Sequence, residues 1–255
     1  MFHWRRTFAP ADGLDSVVEA GFTGRSSARG IGPWSGLNLG GHVGDDAEQV
    51  EANRMLLARR IGVARDRLVF MNQAHGTSIV EVDGAWGGEV PSADAVITRA
   101  PDVALAVLVA DCVPILLHDA RAGLVAAIHA GRLGMTAGIV PRVLERLREL
   151  GARQLSAVVG PSVCGRCYEV PAPLVEAAAA AAASSRARSW TGTPAIDVAA
   201  GVVEQLASDR VPLEWVPGCT REDPDLYSYR RDGPTGRFAG VIVRRAGRPH
   251  DAVDR

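Results

Sequence analysis

The sequence predicts an α/β protein: a single compact domain in which mixed β-sheets are covered by outer helices. Short, almost continuous apolar runs alternate with longer amphipathic stretches, as expected for strands and helices that share one core. No long polar or Pro/Gly/Ser-rich linker divides the 255 residues. We therefore expect one domain over 1–255, with a core at about 15–245 and short flexible tails.

Eight segments predict strands, because each is a short run rich in Val, Ile, Leu or Phe that is bounded by turn residues. They are 17–23, 67–71, 93–98, 103–110, 113–118, 124–128, 155–159 and 238–244. Strands that are apolar throughout are expected where helices cover both faces of a sheet. Between the first two predicted strands, the Gly/Ser-rich stretch 24–44 is long enough to indicate a functional loop.

Four segments predict helices. The first follows Asp46, which forms a capping-box pattern with Gln49, and ends near Gly62. The second ends at Leu150; either Thr136 caps it, with a kink at Pro141, or it begins with Pro141 in its first turn. The alanine-rich segment 173–185 and the amphipathic segment 196–209 complete the set.

Composition restricts the classes of function. The formal net charge is -1, whereas binding to nucleic acid needs a clustered basic surface. All 28 basic residues are arginine, so lysine Schiff-base chemistry is excluded and any anion must be held by guanidinium or backbone N–H groups. No stretch is apolar enough to span a bilayer. We expect neither nucleic acid nor a membrane as a partner.

The cysteines indicate a reducing compartment. Four cysteines in a chain of this length are too few and too scattered for a disulfide scaffold. The N-terminal region also lacks the apolar segment of a signal peptide. We expect a cytoplasmic protein. The sequence does not indicate its oligomeric state.

Three segments each place a metal-ligand residue type at the end of an apolar run. They are Asn72-Gln-Ala-His-Gly76, Ala110-Asp-Cys112 and His129-Ala-Gly131. Loops that follow buried strands are held rigidly yet stay reachable by substrate. Two imidazoles and one thiolate that converge there would form a zinc site with an open fourth position, which is typical of catalytic zinc.

This metal hypothesis has a plain alternative. The three residues are 112 − 75 = 37 and 129 − 112 = 17 positions apart, which matches no short zinc motif. A lone buried cysteine is usually a small apolar residue, and a lone histidine is usually a core or surface residue. The position of each residue at a strand end favours the metal, and Asp111 and Gln73 are placed to orient an imidazole.

Ten short motifs follow one another from about Phe22 to Val243: Phe22-Thr-Gly-Arg25, Leu37-Asn-Leu-Gly40, His42-Val-Gly-Asp-Asp46, Asn72-Gln-Ala-His-Gly76, Ala93-Asp94, Ala110-Asp-Cys-Val-Pro114, His129-Ala-Gly131, Gly160-Pro161, Tyr168-Glu-Val170 and Ser228-Tyr-Arg-Arg-Asp-Gly233. In this order they resemble the YfiH family, also called the laccase-domain or polyphenol-oxidase-like family. Several motifs in fixed order are far more specific than one.

The resemblance implies that His75, Cys112 and His129 bind one metal, usually zinc, with copper as the other possibility. It implies a purine nucleoside phosphorylase that uses phosphate with adenosine, inosine or methylthioadenosine and also deaminates adenosine. The fold it implies is an α/β arrangement of mixed sheets with helices outside. One segment departs from the family: His129-Ala-Gly-Arg132-Leu-Gly134 replaces the commoner His-Ala-Gly-Trp-Arg-Gly, so the family arginine's role does not carry over directly to Arg132.

Phosphorolysis requires an anion clamp and an acid/base group. We predict Arg25 as a catalytic phosphate ligand, with Arg230 and Arg231 as weaker candidates, because guanidinium groups bind phosphate through paired hydrogen bonds. His42 is the predicted acid/base group, since histidine titrates near working pH. The remaining predicted substrate contacts are Asn38, Gln73, Asp111 and Arg132.

Rival functions remain open at this level. Cys112 and His129 could form a cysteine hydrolase, with Asp111 or Asn72 as the orienting group, acting for example on cell-wall precursors. A His₂Cys set can also hold copper, but six histidines are too few for a multicopper oxidase. A cytidine-deaminase-type site is not supported: Cys164-Gly-Arg-Cys167 is present but no His-x-Glu appears. We read those two cysteines as structural and leave Cys219 unassigned. A non-enzymatic metal-binding module is the last alternative.

Overall fold

The structure is a computed structural model that describes residues 1–8, 17–26, 32–85 and 91–246. Its strands are β1 (Phe2–Phe8), β2 (Val18–Thr23), β3 (Leu68–Val69), β4 (Ile79–Val82), β5 (Ala95–Thr98), β6 (Ala104–Val109), β7 (Val113–Asp119), β8 (Leu124–Ala130), β9 (Ser156–Val159), β10 (Arg186–Arg188), β11 (Pro194–Ile196), β12 (Leu213–Trp215) and β13 (Phe238–Arg244). Its helices are α1 (Ala47–Ile61), α2 (Arg132–Thr136), α3 (Ile139–Glu149), α4 (Ala172–Ala181), α5 (Val198–Ser208) and α6 (Tyr229–Asp232).

Two mixed sheets lie face to face. One has five strands in the order β1-β2-β13-β6-β3, and the other has six in the order β12-β9-β7-β8-β5-β4. Helix α1 packs on the outer face of the five-stranded sheet, and α3, α4 and α5 pack on the outer face of the six-stranded sheet. The predicted α/β class with mixed sheets and outer helices is confirmed.

The apolar character of the strands follows from this layering. Side chains alternate between the two faces of a strand. Leu116 points into the core between the sheets, whereas its neighbours Ile115 and Leu117 pack against the helices. The prediction that helices cover both faces of a sheet was wrong in this detail: each sheet has helices on one face and the other sheet on its second face.

The predicted N-terminal tail forms a strand instead. Strand β1 pairs antiparallel with β2 from Phe2 to Phe8, and Trp4 and Phe8 pack against the core between the sheets. The three aromatic residues Phe2, Trp4 and Phe8 are half-buried and the residues between them are exposed. Such alternation is typical of an edge strand, and this signal lies in the residues assigned to a tail. The predicted C-terminal tail from residue 247 onward and part of the predicted Gly-rich loop, 27–31, lie outside the described residues.

The second predicted helix is divided in two. Helix α2 ends at Thr136, and Gly138 adopts a left-handed φ of 81° immediately before α3. Pro141 therefore stands in the first turn of α3, where its missing N–H costs little. The first helix begins after Asp46 and ends before Gly62 as predicted, although the Asp46 carboxylate accepts from the Glu48 N–H and Gln49 donates to Asn53. Within the described residues, no helix is long and apolar enough to cross a membrane.

Candidate active site

Three side chains from distant parts of the chain meet at one edge of the sheets. His75 follows β3, Cys112 lies between β6 and β7, and His129 stands near the end of β8. Their ligand atoms all lie within 4.8 Å of one another, and the Cys112 Sγ is 3.8 Å from the His75 Nε2. The two imidazole rings stand edge to face with centroids 4.7 Å apart. We call His75, Cys112 and His129 the cavity cluster.

The Asp94 carboxylate holds this cluster in position through hydrogen bonds. Its carboxylate is fully buried and lies 2.8 Å from the His129 Nδ1. The same carboxylate accepts from the backbone N–H groups of His75 and Gly76 at 2.9 and 2.7 Å. One carboxylate thus holds the His129 ring and fixes the loop that carries His75. With Nδ1 bonded to a carboxylate, the Nε2 of His129 is left as the ligand atom, as in metal-binding histidines.

Backbone geometry brings the three ligands close together. His75 and Asp111 both adopt positive φ values, 62° and 103°, a conformation that non-glycine residues rarely take and that often marks functional sites. Gly131 lies against the cluster, and a Cβ at that position would meet the His75 Cδ2 at 2.9 Å and the Cys112 Sγ at 3.1 Å. Only glycine leaves room there for the ligands to converge.

Electrostatics favour a thiolate in this cluster. Burial alone would raise the pKa of Cys112, but the charges and hydrogen bonds of His129 and His75 lower it to about 6. Burial alone would lower the pKa of His129, yet the Cys112 thiolate and the Asp94 carboxylate raise it to about 9. At neutral pH Cys112 is therefore a thiolate paired with a protonated His129, and the thiolate is the state in which a cysteine binds a metal or acts as a nucleophile.

The cavity cluster forms the floor of a cavity of about 360 Å³. Side chains of four further basic residues reach its wall: His42, Arg132, Arg230 and Arg237. Aromatic and apolar groups line the rest, among them Val163, Tyr168, Val198 and Tyr229. The cavity thus joins a ligand triad to a cationic wall and a flat apolar wall.

A sequence profile of the family described as multi-copper polyphenol oxidoreductase laccase matches residues 19–245. The chain belongs to this laccase-like, or YfiH, family. It is 49% identical over 229 residues to a purine nucleoside phosphorylase of Streptomyces coelicolor, covering 87% of this chain and 93% of that protein. A purine nucleoside phosphorylase of Mycobacterium tuberculosis is 46% identical over 223 residues, covering 86% of this chain and 89% of that protein.

Solved structures give the same assignment. The crystal structure of YlmD from Geobacillus stearothermophilus is similar with a TM-score of 0.82 and 31% identity, covering 90% of this chain and 92% of that one. A Neisseria meningitidis protein described as family-model DUF152 gives a TM-score of 0.81 at 30% identity, over 95% of this chain and 99% of that one. The predicted resemblance to the YfiH family is confirmed.

The name laccase suggests a multicopper centre, but the described residues do not supply the histidines for one. The sequence has six histidines, of which His250 lies outside the described residues. Among the five described, only His75 and His129 belong to the cavity cluster. Multicopper clusters need many more imidazoles than these.

Two predicted groups of this YfiH-family chain do not reach the cavity. The Arg25 guanidinium donates to the Ser35 carbonyl and hydroxyl at 3.0 and 2.8 Å and lies 3.8 Å from Asp232. Asn38 is fully buried; its amide bonds the backbone of Gly40 and Arg237 and the carboxylate of Asp45. Both residues organise the loop that precedes α1, and neither lines the cavity, so we do not propose them as substrate contacts.

Arg231 is also committed to the backbone. Its guanidinium donates to the carbonyls of Thr220, Asp223 and Leu226 and pairs with Asp232 at 2.8 Å. It does not line the cavity. Arg230 does: its guanidinium lies 4.6 Å from the centre of the Tyr168 ring and donates to the Glu169 carbonyl.

Gln73 and Asp111 line the cavity but do not orient an imidazole. The Gln73 amide donates to the Leu108 carbonyl at 2.7 Å and accepts from the Leu108 N–H at 2.8 Å, which fastens the His75 loop to β6. The Asp111 carboxylate accepts from the Thr220 and Ser228 hydroxyls, each at 2.6 Å, and from the Arg230 N–H at 2.7 Å. Their predicted orienting role belongs to Asp94.

The acid/base candidate His42 lies at the cavity mouth. Partial burial and the charges of Arg237 and Arg54 lower its pKa, so its imidazole is neutral at pH 7. Sequence reasoning missed Arg237 and the aromatic walls as site residues. Tyr168 and Tyr229 stand inside two of the family motifs, which was a usable signal, whereas Arg237 carries none.

Proposed function

We propose that this protein is a metal-dependent purine nucleoside phosphorylase. The observation that carries the proposal is the cavity itself, whose lining combines the cavity cluster with arginine side chains and aromatic side chains. Relatives named purine nucleoside phosphorylase, at 43% to 49% identity, support it. The substrates we propose are adenosine, inosine or methylthioadenosine, together with phosphate.

We assign His75, Cys112 and His129 as ligands of one zinc ion. Two imidazole nitrogens and one thiolate are a ligand set that zinc accepts, and three protein ligands leave a fourth position for a reactant. The Asp94 carboxylate bonded to His129 is the outer partner that such histidines usually have. The same set accepts copper, and metal analysis of the purified protein separates the two.

Different groups of the cavity lining would hold the two substrates. Tyr168 and Tyr229, with Val163 and Val198 beside them, offer the flat apolar surface that a purine base needs. Arg132, Arg230 and Arg237 offer the donors that a phosphate needs, and no lysine exists to replace them. Holding both reactants in one orientation contributes about 7–11 kcal/mol to such a reaction.

In the proposed reaction, a phosphate oxygen attacks C1′ of the ribose while the bond from C1′ to the purine nitrogen breaks. The bonding electrons leave with the purine, which takes up a proton, and the products are ribose 1-phosphate and the free base. A bound zinc ion would act as a Lewis acid towards an oxygen of the reactants. The neutral imidazole of His42 would relay the proton, and the arginines would hold the phosphate charge against C1′.

Adenosine deamination is the second activity that this cavity would support. Water would replace phosphate as the nucleophile and would attack the purine carbon that carries the amino group, releasing ammonia and forming inosine. The open position on the cavity cluster and the neutral His42 favour this addition because they serve water as well as phosphate.

The test compares nucleophiles. Purified protein is incubated with inosine or adenosine in phosphate and, separately, in sulfate, which has a similar shape but does not react. We expect ribose 1-phosphate only in phosphate, and ammonia from adenosine in both buffers. Formation of no ribose 1-phosphate by fully metallated protein would contradict the phosphorylase proposal.

A cysteine hydrolase is the second candidate, because the Cys112 pKa of about 6 and the nearby imidazoles are features of an activated nucleophile. The two mechanisms respond differently to chelation. A hydrolase would keep its activity after zinc removal and would lose it on alkylation of Cys112, whereas the phosphorylase would lose activity on chelation and recover it when zinc is restored.

A further inference from the structure

A second group of soft ligands lies outside the cavity. Cys164, Cys167, Cys219 and Glu222 offer four ligand atoms that all lie within 4.8 Å of one another. We call these four residues the thiol cluster. Within it, the Cys167 Sγ lies 3.3 Å from the Glu222 carboxylate, and the Cys164 N–H lies 3.5 Å from the Cys219 Sγ. All four cysteines of the chain are unpaired thiols in the structure.

The spacing of the cluster has an internal symmetry. Cys164-Gly-Arg-Cys167 and Cys219-Thr-Arg-Glu222 each place two residues between two ligands. This is the spacing found in the short ligand pairs of structural zinc sites. One pair alone is a weak signal, but here two such pairs meet in space although 219 − 167 = 52 positions separate them along the chain.

The fold explains how the pairs meet. Cys164 follows β9 and Cys219 follows β12, and these strands are parallel neighbours. Their carboxyl ends therefore open at the same edge of the sheet. A bridge between Ser162 and Cys219 extends the pairing beyond the strands, and the Thr220 N–H donates to the Ser162 carbonyl at 3.1 Å.

The donor atoms of the cluster are of the kind that zinc binds. Three thiol sulfurs and one carboxylate oxygen converge within 4.8 Å of one another, and zinc accepts thiolate and carboxylate ligands. A divalent ion would displace the thiol protons and attract all four ligands to one point.

We propose that Cys164, Cys167, Cys219 and Glu222 bind a second zinc ion, which has a structural role. Three thiolates and one carboxylate complete a four-ligand shell, and a closed shell is typical of structural zinc. Zinc–sulfur bonds of about 2.3 Å at tetrahedral angles separate the ligand atoms by roughly 3.8 Å, so the observed cluster needs only a small contraction. The thiol-rich set selects against magnesium and calcium.

The second zinc would connect directly to the cavity wall. Thr220, which lies between two of the ligands, donates its hydroxyl to Asp111, and Val163, next to Cys164, donates its N–H to the Asp111 carbonyl. The ion would therefore fix the two loops that hold the Asp111 segment beside Cys112. This proposal does not rest on the proposed enzymatic function.

Metal content in a background without the cavity cluster tests the proposal. The variant Cys112→Ser, purified with zinc under non-thiol reductant, should retain about one zinc per chain, and the double variant Cys112→Ser/Cys167→Ser should retain close to none. Cobalt loaded into Cys112→Ser should show the intense thiolate charge-transfer absorption of a three-sulfur site. Arg221→Ala, an exposed side chain between two ligands, is the matched control and should keep the metal.

A conservative variant guards against loss of folding. Glu222→Gln keeps the shape of an exposed side chain and should release zinc to a chelator about tenfold faster than its Cys112→Ser parent. Absence of zinc from folded Cys112→Ser protein would overturn the proposal. So would a disulfide among Cys164, Cys167 and Cys219 in the protein as purified, or a cobalt spectrum without thiolate absorption.

Discussion

The cavity cluster and the thiol cluster use similar atoms in opposite ways. The first has three ligands, opens into a cavity of about 360 Å³ and is backed by a buried carboxylate that accepts from His129. The second has four ligands, three of them sulfur, and its carboxylate also accepts from the Trp190 indole N–H at 3.2 Å. Cys164, Cys219 and Glu222 also border a cavity of about 360 Å³, so the clusters differ in the number of protein ligands and not in the space beside them. Three ligands would leave a position on a metal for a reactant, whereas four would close the shell and leave only a stabilising role.

Removal of the Cys112 thiolate should have the most different effects on the two clusters. Cys112→Ser should lower the proposed phosphorolysis by about 10³-fold, equivalent to about 4 kcal/mol of transition-state stabilisation, because the reactants would lose the proposed metal. The zinc at the thiol cluster should remain. Steady-state turnover and zinc analysis of the same preparation check this, with Arg221→Ala as the control. Full turnover by Cys112→Ser would assign the reaction to other groups.

Any experiment on the two clusters at low pH must be compared with the loss of folding stability at that pH. We expect His118 to contribute to this loss. This buried histidine packs 4.5 Å from Phe8, centroid to centroid, and neither ring nitrogen meets a hydrogen-bond partner in the described part of the chain. Burial lowers its pKa from 6.5 to about 4, against a smaller opposing effect of Asp119.

The pKa of His118 is lower in the folded protein than in the unfolded chain. As the pH falls, His118 therefore takes up a proton in the unfolded chain before it does so in the folded protein. The contribution of neutral His118 to stability is therefore complete above about pH 6.5 and decreases as the pH falls towards about 4. At pH 4.5 the wild type should have lost roughly 2–3 kcal/mol through this residue. Urea unfolding at pH 7 and 4.5 should show a smaller decrease for His118→Leu. Identical pH dependence in the two proteins would contradict the assignment.

Asp94→Asn should affect the cavity cluster alone. The carboxylate accepts from His129 and from two backbone N–H groups, and an asparagine places a donor against one of these donors. We expect zinc affinity at the cavity cluster to fall about 10–100-fold. Competition with a chromogenic chelator measures this, and the zinc proposed at the thiol cluster, which should exchange slowly, serves as the internal standard. Unchanged affinity would show that Asp94 only holds the loop.

The smallest effect is expected at the cationic wall. Arg237→Met keeps the apolar stem and removes the charge, and should raise the KM for phosphate by about tenfold while the KM for the nucleoside changes little. Arg59→Met, on the exposed face of α1, is the matched control. An equal rise in both KM values would place Arg237 in general cavity structure.

The long apolar strands were predictable because burial on both faces leaves a continuous hydrophobic run. Strands β10, β11 and β12 were not, since three-residue strands carry too short a pattern. Strand β3 was predicted over 67–71, but only Leu68 and Val69 pair with β6. There the apolar run continues through residues that are buried without being paired.

The site, like the strands, was predictable where a local sequence pattern marks the residues and not where the fold alone brings them together. His75, Cys112 and His129 were marked by strand ends and by the family motifs, and the structure brings them together. The role of Asp94 was missed because it depends on register: antiparallel pairing of β5 with β8 places its carbonyl 2.7 Å from the His129 N–H. Arg237 reaches the cavity from the far end of the chain, and no local pattern reveals that proximity.

The most direct test of the two-cluster account is anomalous diffraction at the zinc edge from crystals grown with zinc and phosphate. The account predicts two metal peaks per chain: one among His75, Cys112 and His129 with phosphate or water completing its shell, and one enclosed by four protein ligands. An empty cavity cluster, or a cavity metal closed by a fourth side chain, would contradict it.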